Sequence, residues 1–362
     1  MLMGRWRLGV VVLAVAALAP ATRAEPPPPA PAEPSTWDDW SFIPILFYTP
    51  ETSLGFGAAV VHSFDPTHGR APLSTLAGGV IVTAAEQLIA RIEPDLRFER
   101  VIFHGIVRAQ RYPTRFFAAG AHPDDPGEPY DEATLLGSLD TRYLLSPAFG
   151  LGARCDFQWN ELLHLRHGGL LDSSPVLGKD PWFAAGCGPV LAIDTRDDVR
   201  LPTRGTYAEV RALAWTSLTG EAFDALQSDL DVRTFAPLGR GHVLAAQLRL
   251  RITAGEVPFQ LLPRLGGSNL LRGWFEGHLR DHNAVLAQLE WRFPIVWKVG
   301  AAVFASLGEA FHRFDTFTPS DLRLGVGAGL RLLVNKKQSV SVRFDLAYGS
   351  DISAYVDVLE AF

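Results

Sequence analysis

The sequence predicts an all-β fold: a transmembrane antiparallel β-barrel of about 16 strands with an inward-folded sixth extracellular loop. Three observations predict it. From Ser41 onward, segments of roughly 10–13 residues alternate apolar and polar side chains, a length suited to strands that cross a bilayer at a tilt. The connections between these segments are long and short by turns. No apolar run reaches the roughly 20 residues of a transmembrane helix, so any membrane crossing falls to strands.

Taken in order, the chain opens on Arg5 and Arg7, then the apolar run Leu8–Ala19, then a small-residue exit into Glu25. That is the pattern of a secretory signal, residues 1–24, with cleavage near Ala24 and Ala21 as the alternative. Residues 25–40, EPPPPAPAEPSTWDDW, have no core-forming content and read as a proline-rich periplasmic leader of at most roughly 50 Å. Residues 41–362 are the barrel. The formal net charge of −6 becomes −9 once Arg5, Arg7 and Arg23 are removed, and there is no basic stripe, so nucleic acid is excluded as a partner.

Along the barrel, Val285, Ala287, Leu289, Trp291 and Phe293 oppose Leu286, Gln288, Glu290 and Arg292. Leu322, Leu324, Val326, Ala328, Leu330 and Leu332 oppose Asp321, Arg323, three glycines and Arg331. Val340, Val342, Phe344, Leu346 and Tyr348 oppose Ser339, Ser341, Arg343, Asp345 and Ala347. One face carries both signs of charge and the other almost none. A soluble sandwich would give the same alternation, but strands this long and this numerous would normally split into two domains.

The long connections are 112–132, 159–182, 255–281 and 309–320; the short ones include Glu99-Arg100, Ser146-Pro147, Pro237–Gly241, Pro294–Val296 and Asn335–Gln338. Long loops on one rim and short turns on the other are the layout of an outer-membrane barrel. The last strand, AYVDVLEAF, contains Tyr355 and finishes at Phe362, placed here in the aromatic girdle. Cys155 and Cys187 share one alternating face of adjacent strands; an exported protein permits a disulfide between them, and strand register decides whether they meet.

The stretch 261–283, LLPRLGGSNLLRGWFEGHLRDHN, combines glycine and proline punctuation with apolar bulk around Arg272-Gly273-Trp274. Such a loop between two strands is expected to fold inward. The chain resembles the BamA/TamA superfamily of outer-membrane barrels (bacterial surface antigen proteins) from about Pro44 to Phe362. PILFYTPETSLGFGAA is similar to the family's opening hairpin, and DTRDDVRLPTRGTY to its Asp-x-Arg-Asp…Pro-x-x-Gly turn. Leu271–Trp274 is similar to the tip of its sixth loop, and LEWRFPI and the closing EAF also fit. The resemblance implies a role in assembly or translocation across the outer membrane. It also marks two departures. The family's barrel usually follows periplasmic POTRA domains, which a 16-residue leader cannot hold. And where the family reads Phe-x-Asp-x-Gly, this chain reads Phe304-Ala305-Ser306-Leu307-Gly308.

An unpaired buried arginine costs on the order of 3–5 kcal/mol. The expectation is therefore that Arg272 enters the lumen and pairs chiefly with Glu290, with Ser306 as a neutral partner and Asp345 in reserve. Asp194, Arg196, Asp197, Arg204 and Gly205 are expected to form a self-satisfied periplasmic turn rather than a metal site. The acidic segment 122–132 is expected to be a solvated loop. His164 and His167 lack a third ligand at useful spacing. No nucleophile elbow, His-Glu-x-x-His or P-loop occurs, so neither catalytic centre nor cofactor is expected. The expected partners are outer-membrane lipids and client or partner outer-membrane proteins, with the chain itself a monomer. A passive gated channel or structural barrel is the alternative.

Overall fold

The computed structural model describes residues 39–118, 125–335, 340–358 and 360–362. The signal, nearly all of the leader, the start of the acidic 122–132 segment and most of the Asn335–Gln338 turn lie outside them. Sixteen antiparallel strands among the described residues close into one barrel. The first five are β1 (Asp39–Thr49), β2 (Ser53–Phe64), β3 (Ser74–Thr83), β4 (Leu88–Arg97) and β5 (Val101–Arg111). Six follow: β6 (Glu128–Ser146), β7 (Phe149–His164), β8 (Trp182–Asp194), β9 (Gly205–Thr219), β10 (Asp224–Gly239) and β11 (His242–Ala254). The last five are β12 (Asn283–Val296), β13 (Val299–Phe311), β14 (Arg323–Asn335), β15 (Val340–Tyr348) and β16 (Ile352–Val358).

The alternation read from the sequence is the inside–outside alternation of this wall. On β12, Leu289 and Trp291 are exposed outward while Leu286, Gln288, Glu290 and Arg292 are buried inward. On β15, Phe344, Leu346 and Tyr348 face out while Arg343, Asp345 and Ala347 are buried. An apolar exterior over a charged interior is what lipid on one side and protein or water on the other select.

Strand lengths depart from the expectation. They run from 7 residues in β16 to 19 in β6. On the long-loop rim the loops pack against the inner faces of the longer strands. Phe116, Tyr130, Leu171 and Phe259 form one cluster there, and Trp182, Phe223, Val257 and Leu261 another. Glu128 accepts the backbone N–H groups of Leu170 and Leu171, holding a one-turn helix over the rim.

Cys155 and Cys187 are register partners on β7 and β8 and form a disulfide, with Cα atoms 4.1 Å apart. Every neighbouring pair of strands is laddered along much of its length except one. β1 pairs with β2 from Asp39↔Ser63 to Thr49↔Ser53, but among the described residues it meets β16 through the single registered pair Tyr48↔Val356.

Candidate functional site: an arginine clamp inside the barrel

The connection 255–282 leaves β11, turns into the barrel and returns to β12. Its stem is a two-residue antiparallel pairing, Arg264↔Arg280 and Leu265↔Leu279. Its tip is closed by Gly266 N–H donating to the Leu270 carbonyl and Gly267 N–H donating to that of Trp274. Leu265, Leu271, Trp274 and Leu279 pack with Ala284 and Leu286 of β12, which explains the apolar bulk in a glycine-rich loop. Gly273 has φ +98°, and a Cβ there would lie 2.6 Å from backbone atoms of Tyr348 and Gly349. Only glycine lets the tip turn this close to the wall.

The wall is shaped to match. The inner face of β14 reads Gly325, Gly327, Gly329, and a Cβ on Gly325 would lie 2.3 Å from the Arg272 carbonyl oxygen. The Trp274 indole N–H donates to the Leu324 carbonyl at 2.9 Å. Gly273 N–H donates to the Tyr355 hydroxyl at 3.0 Å, so Tyr355 points inward from β16 and docks the tip.

Arg272 is 1% exposed. Its Nη1 donates to Asp345 Oδ2 at 2.6 Å and its Nη2 to Glu290 Oε2 at 2.6 Å. The guanidinium carbon sits 3.3 Å from the centre of the Phe304 ring. Thus β12, β13 and β15 each supply one contact to a single loop residue. The carboxylates are shared further. Arg292 donates to Glu290 at 2.8 Å. Arg331 donates to Asp345 at 2.5 Å and to Glu360 at 2.7 Å. Arg343 reaches Asp345 at 3.3 Å, Asp357 at 2.9 Å and the loop's Ser268 carbonyl at 2.9 Å. Four arginines (272, 292, 331, 343) face four acids (Glu290, Asp345, Asp357, Glu360), so the cluster is neutral and densely bonded, the condition under which buried charge is tolerated.

Two of the expected partners behave differently in the structure. Asp345 holds Arg272 at the same distance as Glu290 and is no reserve. Ser306, although buried beside the clamp, donates to the Gly325 carbonyl at 3.2 Å and not to Arg272. The two carboxylates already occupy both terminal nitrogens of the guanidinium, which leaves the short hydroxyl to satisfy the glycine-faced strand next to it.

The carboxyl end also departs from the expectation. The last strand stops at Val358, and Phe362 is not in an outer girdle. It is buried against Phe235, Val243 and Ala245, whose side chains point inward, and its carbonyl accepts Arg292 Nη2 at 2.9 Å. The end of the chain therefore tucks inside the short-turn rim, and Glu360 joins the clamp network from there.

The turn at residues 194–205 is satisfied by its own donors. Asp194 takes both Nε and Nη2 of Arg196, whose guanidinium lies 4.6 Å from the Tyr207 ring centre. Asp197 accepts the N–H groups of Thr203 and Arg204 as well as the Thr203 hydroxyl. Burial works to raise the Asp197 carboxyl, but these hydrogen bonds outweigh it and hold the group below its ordinary value. Gly205 follows at φ +99° and starts β9. His164 ends β7, and His167 is exposed with Asp172 at 4.0 Å.

Residues that sequence reasoning passed over include Phe304 beneath the guanidinium and Arg331, Arg343 and Glu360 around it. Inward-facing alternation marked the two arginines as lumenal. Nothing in the alternation says which lumenal residues stand at the height of the loop tip.

Known proteins place this geometry. The Omp85 superfamily domain matches residues 92–351. Comparison with curated proteins gives no match. Among solved structures, BamA from Haemophilus ducreyi lacking POTRA domains 1–3 is similar with a TM-score of 0.61 at 14% identity, over 89% of this chain and 70% of that one. CdiB from Acinetobacter baumannii is similar with a TM-score of 0.56 at 14% identity, over 88% of this chain and 59% of that one. CdiB from Escherichia coli gives 0.56 at 11% identity, over 91% and 63%. The chain thus spans less than two thirds of either CdiB, and at these identities the likeness is one of fold. With the domain match covering well over half its length, the chain belongs to the Omp85 superfamily, and its closed 16-strand barrel is of the BamA type.

Proposed function

We propose that this barrel assists the insertion of membrane proteins, or the translocation of polypeptide or lipid, by offering the edge of β1 at the seam with β16. The observation that carries this reading is the seam itself. Among the described residues only Tyr48↔Val356 registers across it, while β1 is fully laddered to β2. β1 is also apolar on both faces: Trp40, Phe42, Leu46 and Tyr48 on one, Ile43, Ile45 and Phe47 on the other. Backbone groups without partners are costly in a bilayer, each by several kcal/mol. A client strand adding to the edge would satisfy them by β-augmentation. The clamp holds the remaining wall from β12 to β15 in shape while the seam parts. Outer-membrane lipids and client proteins are the partners, and no catalytic step is involved. In the same reading, residues 1–24 are removed on export and 25–40 form a periplasmic leader; amino-terminal sequencing of the protein from outer membranes tests this, with Glu25 expected first.

The seam is tested by Tyr48→Cys/Val356→Cys in a Cys155→Ser/Cys187→Ser background. Oxidation is expected to reduce the protein-dependent folding of a test outer-membrane protein into vesicles to the lipid-only rate, and reductant to restore it. Unimpaired folding by the oxidised protein would sink the proposal.

A second reading, a gated channel, draws on a cavity of about 720 Å³ at the short-turn rim, lined by Arg97, Asp140, Arg142, Asp194, Arg196 and Tyr207 among others. Planar-bilayer recording separates the two. Large, steady wild-type conductance favours the channel; a closed wild type that Arg272→Ala opens favours a plugged insertion barrel.

A further inference from the structure

The root of the inward loop carries a donor cluster that the clamp does not use. Asp281 and His282 are the last two residues before β12, and His312 is the first after β13. Asn283 and Phe311 are register partners, so His282 and His312 form the next cross-strand pair outward, on the long-loop rim. Their imidazole centroids are 4.5 Å apart and the rings are nearly perpendicular, at 83°. Asp281 Oδ1 lies 3.2 Å from His282 Nδ1 and 3.3 Å from His312 Nδ1. One donor atom from each residue falls within 4.8 Å of the others.

We propose that Asp281, His282 and His312 bind a divalent transition metal, best matched by Zn²⁺, clasping the end of the 255–282 loop to the start of the next one. Metal–nitrogen and metal–oxygen bonds of about 2.0–2.2 Å in tetrahedral geometry put ligand atoms roughly 3.3–3.5 Å apart. The two distances to Asp281 Oδ1 are already close to that edge. Two imidazoles and one carboxylate with a position left for water are a donor set such ions accept, and one that Mg²⁺ and Ca²⁺ do not favour.

The scaffold is rigid where it needs to be. Thr253 N–H donates to the His282 carbonyl at 2.9 Å, and the Asn283 amide donates to the carbonyls of Phe311 and His312 at 3.2 and 2.8 Å. A ligating imidazole commonly gives its other N–H to a carboxylate. His282 Nε2 is buried with no hydrogen-bond partner among the described residues, and the exposed Glu256 carboxylate stands 3.8 Å away. Rotation of that side chain supplies the outer partner. This inference does not depend on the insertion reading.

The test uses untagged full-length protein in detergent, stripped with chelator. Titration with ZnCl₂ should give one saturable equivalent, and CoCl₂ should give the visible absorption bands of a tetrahedral mixed nitrogen–oxygen site. His312→Ala, at an exposed position, should weaken binding at least tenfold, as should Asp281→Asn. His167→Ala, which removes another rim histidine, should leave it unchanged. Zn²⁺ should also slow protease cleavage within 255–282 in the wild type and not in His312→Ala. No saturable binding, or wild-type affinity in folded His312→Ala, would overturn the site.

Discussion

At Arg272, burial turns charge pairing into a structural requirement. With the guanidinium 1% exposed, removing it takes one buried cationic partner from each of Glu290 and Asp345 and leaves the cluster with one uncompensated negative charge. Arg272→Ala is expected to lower the unfolding free energy in lipid vesicles on the order of 3–5 kcal/mol. Arg272→Lys should recover less than half of that loss, because a single ammonium cannot reach two carboxylates as a planar fork does. The acids are not equivalent either. Asp345 accepts from Arg272, Arg331 and Arg343, whereas Glu290 takes hydrogen bonds from Arg272 and Arg292. Asp345→Asn should therefore destabilise at least as much as Glu290→Gln, measured by the same unfolding series; the reverse order would show that the wall pairs around Asp345 are dispensable. Glu290 was legible in the sequence because it sits on the lumenal side of the strand leaving the loop. The rank of Asp345 was not, since the height at which β15 meets the loop depends on barrel stagger, which alternation does not encode.

For the loop as an element, shape decides as much as charge. The bare inner face of β14 receives the tip. Gly325→Ala would set a Cβ 2.3 Å from the Arg272 carbonyl, and backbone there cannot step aside cheaply. The expected cost is about 1–3 kcal/mol, the range for overpacking, with faster protease cleavage within 255–282. Gly78→Ala is the matched control, since its Cβ meets only a carbonyl oxygen at 3.9 Å. Equal effects from the two would mean that β14 responds to lost glycine flexibility and not to the tip. The inward fold of the loop followed from composition: too much apolar bulk for a solvated segment. Where the last strand ends did not, because EAF alternates like the strand before it. Only the inward pocket of Phe235, Val243 and Ala245, built from strands more than a hundred residues earlier, explains why Phe362 leaves the wall.

For the whole barrel, the strongest and weakest walls stand nearly opposite each other. The seam joins β16 to β1, and the disulfide joins β7 to β8, almost half the circumference away. Cross-linking residues 32 apart contributes about 3–4 kcal/mol by restricting the unfolded chain, in the loop-entropy account. That contribution acts on global unfolding and leaves the seam's local pairing untouched. Its position also bears on the proposed opening: a wall stapled at β7–β8 would not part there, which leaves the seam, with Tyr48↔Val356 its one registered pair among the described residues, as the place to open. Cys155→Ala/Cys187→Ala should accordingly lower the denaturant midpoint of the folded barrel. Folding of a test outer-membrane protein should stay within about twofold of wild type at temperatures where the variant is folded, a margin of roughly 0.4 kcal/mol in rate. Loss of that activity in a fully folded variant would mean that the far wall takes part in opening, and that the seam alone does not govern it.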